Sequence, residues 1–255
     1  MLSKNQIKEI QSLHLKKHRD NENLFIVEGV KSVNEVLSQS ASIVSKIFAT
    51  KEFLYSHNSQ INKLKIDFLE ITEEELQKIS LQSNPNQVLA LCNYFEEQSS
   101  TLNFANEFSF YLDDIRDPGN FGTIVRLADW FGIKTLFCSI ASCDCYNPKV
   151  IQSTMGAFMR VKIVYCELES LIESEKIENI YGAVLTGSNI YTEKLKNGLI
   201  IIGNEANGIS DENLKFINKS ITIPSRQTNG TESLNAAMAS SIIASEFFRQ
   251  LKVVG

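Results

Sequence analysis

Histidine is scarce in this chain of 255 residues: there are three, His14, His18 and His57. The larger part of the sequence, from Asn58 on, therefore lacks the material for a Ser-His-Asp triad or a histidine metal site. No Gly-x-Gly-x-x-Gly follows a strand-like run, which excludes the usual nicotinamide dehydrogenase loop. Cysteine offers little for metal binding: Cys143-Asp144-Cys145, with Cys138 nearby, has the wrong spacing for a zinc site and no second pair follows, so no metal is expected. No apolar run reaches the roughly 20 residues that a membrane span needs. The first twenty residues hold Lys, Gln and His without a continuous apolar stretch, so they read as neither a signal peptide nor an anchor. The five cysteines, an odd count, fit reduced thiols in a cytoplasmic protein.

A basic surplus is also missing. The formal net charge of −5 excludes a protein that coats nucleic acid by charge alone, so any such contact must be local. The first nineteen residues concentrate Lys4, Lys8, Lys16, Lys17 and Arg19 against the single acid Glu9. Such a start is either a solvated helix face or a local phosphate-binding patch.

What is present is an alternation of strand-like and helix-like segments. Leu24 to Val27, Lys46 to Ala49, Ile66 to Leu69 and Val88 to Tyr94 read as strands, and Val30 to Leu37 and Glu73 to Ile79 as helices, which together make a small α/β unit. The polar stretch Glu96 to Glu107 reads as a linker, dividing the chain into domains at 1–98 and 108–255. The second part offers strands at Phe108 to Leu112, Lys134 to Cys138, Lys162 to Tyr165, Ala183 to Thr186, Leu199 to Ile202 and Ser220 to Ile223. Helices are expected from Thr123 to Phe131 and from Ser233 to Leu251. Short apolar strands between helices imply a parallel sheet covered on both faces, with ligands at the carboxyl ends of the strands.

Three loops after strands are unusual. In Asp113 to Gly122 the turn residues are ordinary strand-to-helix chemistry. Arg126, among apolar neighbours on the following helix, is either an ion-pair member or a phosphate ligand. In Ile200 to Ile209 the glycines Gly203 and Gly208 flank Asn204 and Glu205, but Ile209 stands where a phosphate loop needs lysine, so backbone approaching some other ligand is expected. The third loop runs from Ile221-Thr222-Ile223-Pro224 to Glu232-Ser233-Leu234-Asn235, where Ser233 looks like a helix N-cap.

Together these loops resemble the three signature motifs of the SpoU/TrmH branch of the SPOUT methyltransferases. The matching residues are Asp117-Pro118-Gly119-Asn120-Phe121-Gly122 with Arg126 and Ala128, then Gly203-Asn204-Glu205 with Gly208, then Ile223-Pro224 with Glu232-Ser233-Leu234-Asn235. Asn147 to Val150 with Met155-Gly156-Ala157 resembles a further family segment, in which Gln152 stands where many relatives carry arginine. Phe25-Ile26-Val27-Glu28-Gly29 and Val88-Leu89-Ala90 resemble the family's small, ribosomal-protein-like substrate-binding domain.

The resemblance implies a parallel-sheet SPOUT domain with a C-terminal trefoil knot, and an S-adenosylmethionine-dependent RNA 2′-O-ribose methyltransferase acting on ribosomal RNA. A transfer RNA substrate, or a non-catalytic RNA-binding relative, is the alternative. S-Adenosylmethionine would be held near Leu185, Thr186 and Gly187, near Ile202, Gly203, Asn204 and Glu205, and near Ile223 and Leu234. Arg126, Asn120, Glu205, Ser233 and Asn235 would serve catalysis, with Arg126 better suited to anchoring a phosphate than to taking a proton, because guanidinium stays charged. Lys16, Lys17, Arg19 and Arg126 would contact RNA. Family members are homodimers with the site completed across the interface, and Ala237, Ile242, Ile243 and Phe247 on the last helix are the expected apolar contributors.

Overall fold

The computed structural model describes residues 1–96, 102–226 and 233–251, which form two compact units. The first holds α1 (Lys4–Ser12), α2 (Lys16–Glu22), β1 (Leu24–Glu28), α3 (Val30–Gln39), β2 (Val44–Ala49), α4 (Lys51–Leu64), β3 (Phe68–Glu70), α5 (Glu73–Ile79) and β4 (Val88–Asn93). Its four strands lie in the order β1-β4-β2-β3, with β4 antiparallel to both neighbours and β2 parallel to β3. Local chemistry sets the helix starts: Ser3 and Thr72 each close a capping box, with Gln6 and Glu75 reaching back to the cap N–H.

The rest of the chain continues with β5 (Phe108–Leu112), α6 (Pro118–Trp130), β6 (Thr135–Cys138), α7 (Pro148–Thr154), β7 (Lys162–Tyr165), α8 (Leu168–Glu175), β8 (Ile180–Asn189), β9 (Gly198–Ile202), α9 (Asp211–Leu214), β10 (Lys219–Thr222) and α10 (Ala236–Leu251). The second unit is built on a six-stranded sheet, β10-β8-β9-β5-β6-β7, in which every pairing is parallel. Every residue of β5, β6 and β9 is buried, as expected for central strands covered on both faces. From β5 the chain moves outward through β6 and β7, then returns to place β8, β9 and β10 on the other side. The strand order thus reverses between β5 and β9, the crevice where such sheets place ligands.

Three differences from the sequence reading have local causes. Helix α6 starts at Pro118, earlier than Thr123, because the Asp117 carboxylate accepts the Asn120 N–H at 2.7 Å and proline suits the first helical position. Helix α10 starts at Ala236 because its cap is Asn235, whose Oδ1 accepts the Ala237 and Met238 N–H groups at 3.0 and 3.2 Å; Ser233 is exposed and is not the cap. The segment 144–159, in the second part of the sequence, groups with the first unit. There the Tyr146 ring stacks on Tyr94 at 3.9 Å, and Ile151 and Phe158 join the core that contains Phe25, Val33 and Phe53.

Arg19 corrects a further expectation. It is 1% exposed, donating to the Leu13 carbonyl at 2.8 Å and pairing with the Asp144 carboxylate. It therefore joins α2 to the 144–159 segment and has no face to offer a phosphate, whereas Lys16 and Lys17 are exposed. Removing one member of a buried pair strands the other charge, so Asp144→Ala should destabilise the protein by about 3–5 kcal/mol. The double change Arg19→Met with Asp144→Leu should recover most of that loss in urea unfolding; equal stability of Asp144→Ala and wild type would remove this role.

Candidate active site

The crevice between β5 and β9 is built by two interlocked loops. Leaving β5, the Asp113 N–H extends the ladder to the Ile202 carbonyl at 2.8 Å, and the buried Asp113 carboxylate accepts the Ser210 N–H at 2.8 Å. Asp114 then turns the chain with φ +58°, a left-handed conformation that Asp tolerates better than most residues. Its N–H is held by the Ser139 hydroxyl at 2.9 Å and the next N–H, of Ile115, by the Ser142 hydroxyl at 3.2 Å. From the other loop, the Asn204 amide donates to the Asp114 carbonyl at 2.8 Å.

The loop after β9 closes on itself. Asn204 and Gly208 exchange both backbone hydrogen bonds at 2.9 Å, and Asn204 Oδ1 accepts the Ala206 and Asn207 N–H groups. A Cβ on Gly203 would stand 2.3 Å from the backbone of Gly208 and Ile209, so only glycine lets the strand end meet the returning loop. Asn204 is thus a brace between loops, with its backbone and its Oδ1 engaged inside the protein.

These braces bring three of the predicted residues into one chain. Asn235 Nδ2 donates to Asn120 Oδ1 at 2.8 Å, and Asn120 Nδ2 donates to Glu205 Oε1 at 2.6 Å. Asn120 is fixed by the first turn of α6, Glu205 by the closed loop and Asn235 by capping α10, so three separate elements converge.

The region predicted for the cofactor lies at the neighbouring strand ends. Strand β10 pairs with Tyr181 and Gly182 of β8 and then steps to Ser188 and Asn189, leaving 183–187 without a partner in that ladder. The Thr222 hydroxyl holds the Leu185 carbonyl at 3.1 Å, and a Cβ on Gly187 would lie 2.8–2.9 Å from the backbone of Ser220 and Ile221. Leu185, within the stretch that leaves the ladder, is 70% exposed.

Arg126 stands apart from the Asn120, Glu205 and Asn235 chain. It follows Asn120 by six positions on α6, which at about 100° per residue turns it roughly 120° away. Its side chain is exposed and makes no ion pair among the described residues. Ser233 and Ile223 take no part in the chain either, and Glu232 lies outside the described residues. Residues the sequence reading passed over include Asp113, Ser139 and Ser142. Only the Asp117-Pro118 pair at the start of α6 carried a readable cue, that of a helix cap followed by proline at N1. Among the described residues there is no cluster of His, Cys, Asp and Glu able to hold a metal, and no helix long and apolar enough to cross a membrane.

The profile of the SpoU rRNA Methylase family matches residues 107–245, and that of the MRM3-like substrate binding domain matches residues 4–90. The 23S rRNA (guanosine(2553)-2′-O)-methyltransferase RlmP of Bacillus subtilis is 28% identical over 246 residues, spanning 94% of this chain and 95% of that one. A TrmH-family protein of Porphyromonas gingivalis superposes with a TM-score of 0.83 at 33% identity, over 98% of this chain and 99% of the other. An AdoMet-bound rRNA methyltransferase of Sinorhizobium meliloti gives 0.86 at 25% identity, over 100% and 97% of the two chains. With an α/β fold, a small N-terminal unit, a parallel sheet that reverses at β5 and β9, and motif residues gathered at that crevice, the chain belongs to the SpoU RNA methyltransferase family.

Proposed function

We propose that this protein methylates a ribose 2′-hydroxyl of ribosomal RNA with S-adenosylmethionine as donor. The observation that carries the reading is the hydrogen-bonded chain Asn235–Asn120–Glu205 at the sheet's switch point, beside the loops at 183–187, 202–205 and 221–223. The names of the relatives favour ribosomal over transfer RNA: RlmP acts on 23S rRNA, and mouse mitochondrial rRNA methyltransferase 3 is 24% identical over 92% of this chain. The trefoil knot implied by the resemblance, and a cytoplasmic location, belong to the same proposal.

S-Adenosylmethionine supplies an electrophilic methyl group when bound. Backbone groups of Leu185 to Gly187 and Ile202 to Glu205, with Ile223 and Leu234, would hold it. The chain's own residues then have to place a ribose hydroxyl in line, and positioning of that kind is where such a site lowers its barrier. Asn120, fixed at both ends of its amide by Asn235 and Glu205, presents a rigid polar edge for the ribose. Glu205 keeps its second carboxylate oxygen as an acceptor for a hydroxyl. Arg126 brings a guanidinium suited to anchoring a phosphate near the reacting hydroxyl.

Because α6 carries Arg126 round from Asn120, we infer a homodimer in which Arg126 of one protomer serves its partner's site. Arg126 and Trp130, four apart on α6, share a face, and Trp130 is 84% exposed. On α10, Met238 and Phe248 are exposed at 57% and 38%. Three of the residues first expected at the interface, Ala237, Ile243 and Phe247, are buried within the protomer instead, so Trp130, Met238 and Phe248 are the better apolar contributors. In the first unit, Lys16 and Lys17 on α2 offer exposed cations for RNA, which supports a division in which 1–98, joined by 144–159, select the RNA and the rest of 108–255 carries the chemistry.

Arg126→Ala should lower the methylation rate on the order of 10²- to 10³-fold, with S-adenosylmethionine affinity by calorimetry unchanged; wild-type turnover would end the role given to Arg126. Light scattering at micromolar concentration should give a dimer mass, and Trp130→Glu should shift it to the monomer, whereas a monomeric wild type would contradict the shared site. Replacing Lys16 and Lys17 by alanine should weaken RNA binding and flatten its salt slope by about one logarithmic unit per decade for each phosphate left without its cation. An unchanged slope would show that α2 does not touch the RNA.

A further inference from the structure

A cleft in the first unit has the chemistry of a base-reading site. It encloses about 100 Å³; Leu81 is its exposed apolar side chain, Ile26 and Pro148 back it from the core, and its polar groups include Glu28, Gln82 and Gln152. Glu28, at the end of β1, accepts the Ser80 hydroxyl and, at 3.3 Å, the Leu81 N–H. A carboxylate offers about four acceptor positions, so two remain. No cation lies within ion-pair distance of Glu28 among the described residues, and burial pushes its carboxyl above the usual range. A half-buried acid kept without a counter-charge costs stability, and such groups gather at functional sites. The amides of Gln82 and Gln152 each offer both a donor and an acceptor beside it. Lys149, exposed on α7 and lining the same cleft, adds a cation suited to a phosphate.

We propose that this cleft receives one unpaired nucleobase of the substrate RNA, a base whose exocyclic amino group donates to Glu28 while its ring lies on the exposed side chain of Leu81. Sequence-specific RNA recognition works chiefly on such splayed-out bases, read along their hydrogen-bonding edges and packed on their faces. Adenine, cytosine and guanine carry the amino group; uracil presents carbonyls in its place and meets the Glu28 oxygens with repulsion. The inference rests on the reading of the protein as an RNA methyltransferase, and it assigns the first unit a base preference in addition to charge.

The competing role for Glu28 is to pin the turn Ser80 to Gln82 and nothing more. Fluorescence anisotropy of the full chain with short labelled oligo(A), oligo(C) and oligo(U) separates the two. Wild type should bind oligo(A) or oligo(C) roughly tenfold more tightly than oligo(U). Glu28→Gln, which still accepts the Leu81 N–H but places an amide donor toward the base, should erase that preference. Gln82→Ala, on the rim and outside the turn's hydrogen bonds to Glu28, should reduce it without a change in melting temperature. Equal affinity for the three oligomers, no binding of any, or a preference that survives both variants would overturn the cleft's role. Methyl transfer from labelled S-adenosylmethionine to total ribosomal RNA is measured in parallel. Transfer without base preference fails the cleft alone, and absence of transfer fails the functional reading itself.

Discussion

Strands β5 and β9 run side by side in register from Phe108 opposite Gly198 to Leu112 opposite Ile202, both fully buried. Because the connections from these two strands leave in opposite directions across the sheet, no single helix can cover the gap at their carboxyl ends. The gap has to be closed by loops, and closing it leaves backbone N–H and C=O groups that must find partners inside the protein. Asp113, Ser139, Ser142, Asn204 and the backbone pairing of Asn204 with Gly208 all answer that demand. The strained turn at Asp114 persists because its N–H, its carbonyl and its carboxylate are all held. The Asn120 and Glu205 side chains meet at 2.6 Å because the first turn of α6 and the closed loop after β9 that carry them have little freedom left.

Much of this was legible in the sequence because strand and helix periodicity are local signals. The apolar runs of β5 and β9 and the glycine-flanked Asn204-Glu205 could be placed at strand ends without any coordinates. The convergence of Asn120, Glu205 and Asn235 was suggested by family motifs but not by spacing, since 115 positions separate the first and last. Ser139 and Ser142 could not be singled out, because a serine that accepts a distant N–H looks like any loop serine until the chain is folded. Arg19 was misread for a related reason: a cation within a basic stretch looks solvated, and its partner Asp144 lies 125 positions away. Ser233 was misread as a cap because serine is a strong N-cap residue, yet Asn235, two positions on, is as strong and is the one whose oxygen reaches the free N–H groups of α10.

The return of residues 144–159 to the first unit has a bearing on inheritance and engineering. A recognition module that occupied one unbroken stretch could be exchanged between relatives by a single crossover. Here part of that module is written inside the catalytic stretch, where Tyr146, Ile151 and Phe158 complete a core begun by Phe25 and its neighbours. A chimaera joined near residue 100 would inherit half of each packing surface from a different parent, with Arg19 facing whatever side chain the new segment brought in place of Asp144. Recombination and deliberate domain grafting are therefore constrained to carry the two segments together, so the two units are expected to evolve as a linked pair and not as interchangeable pieces.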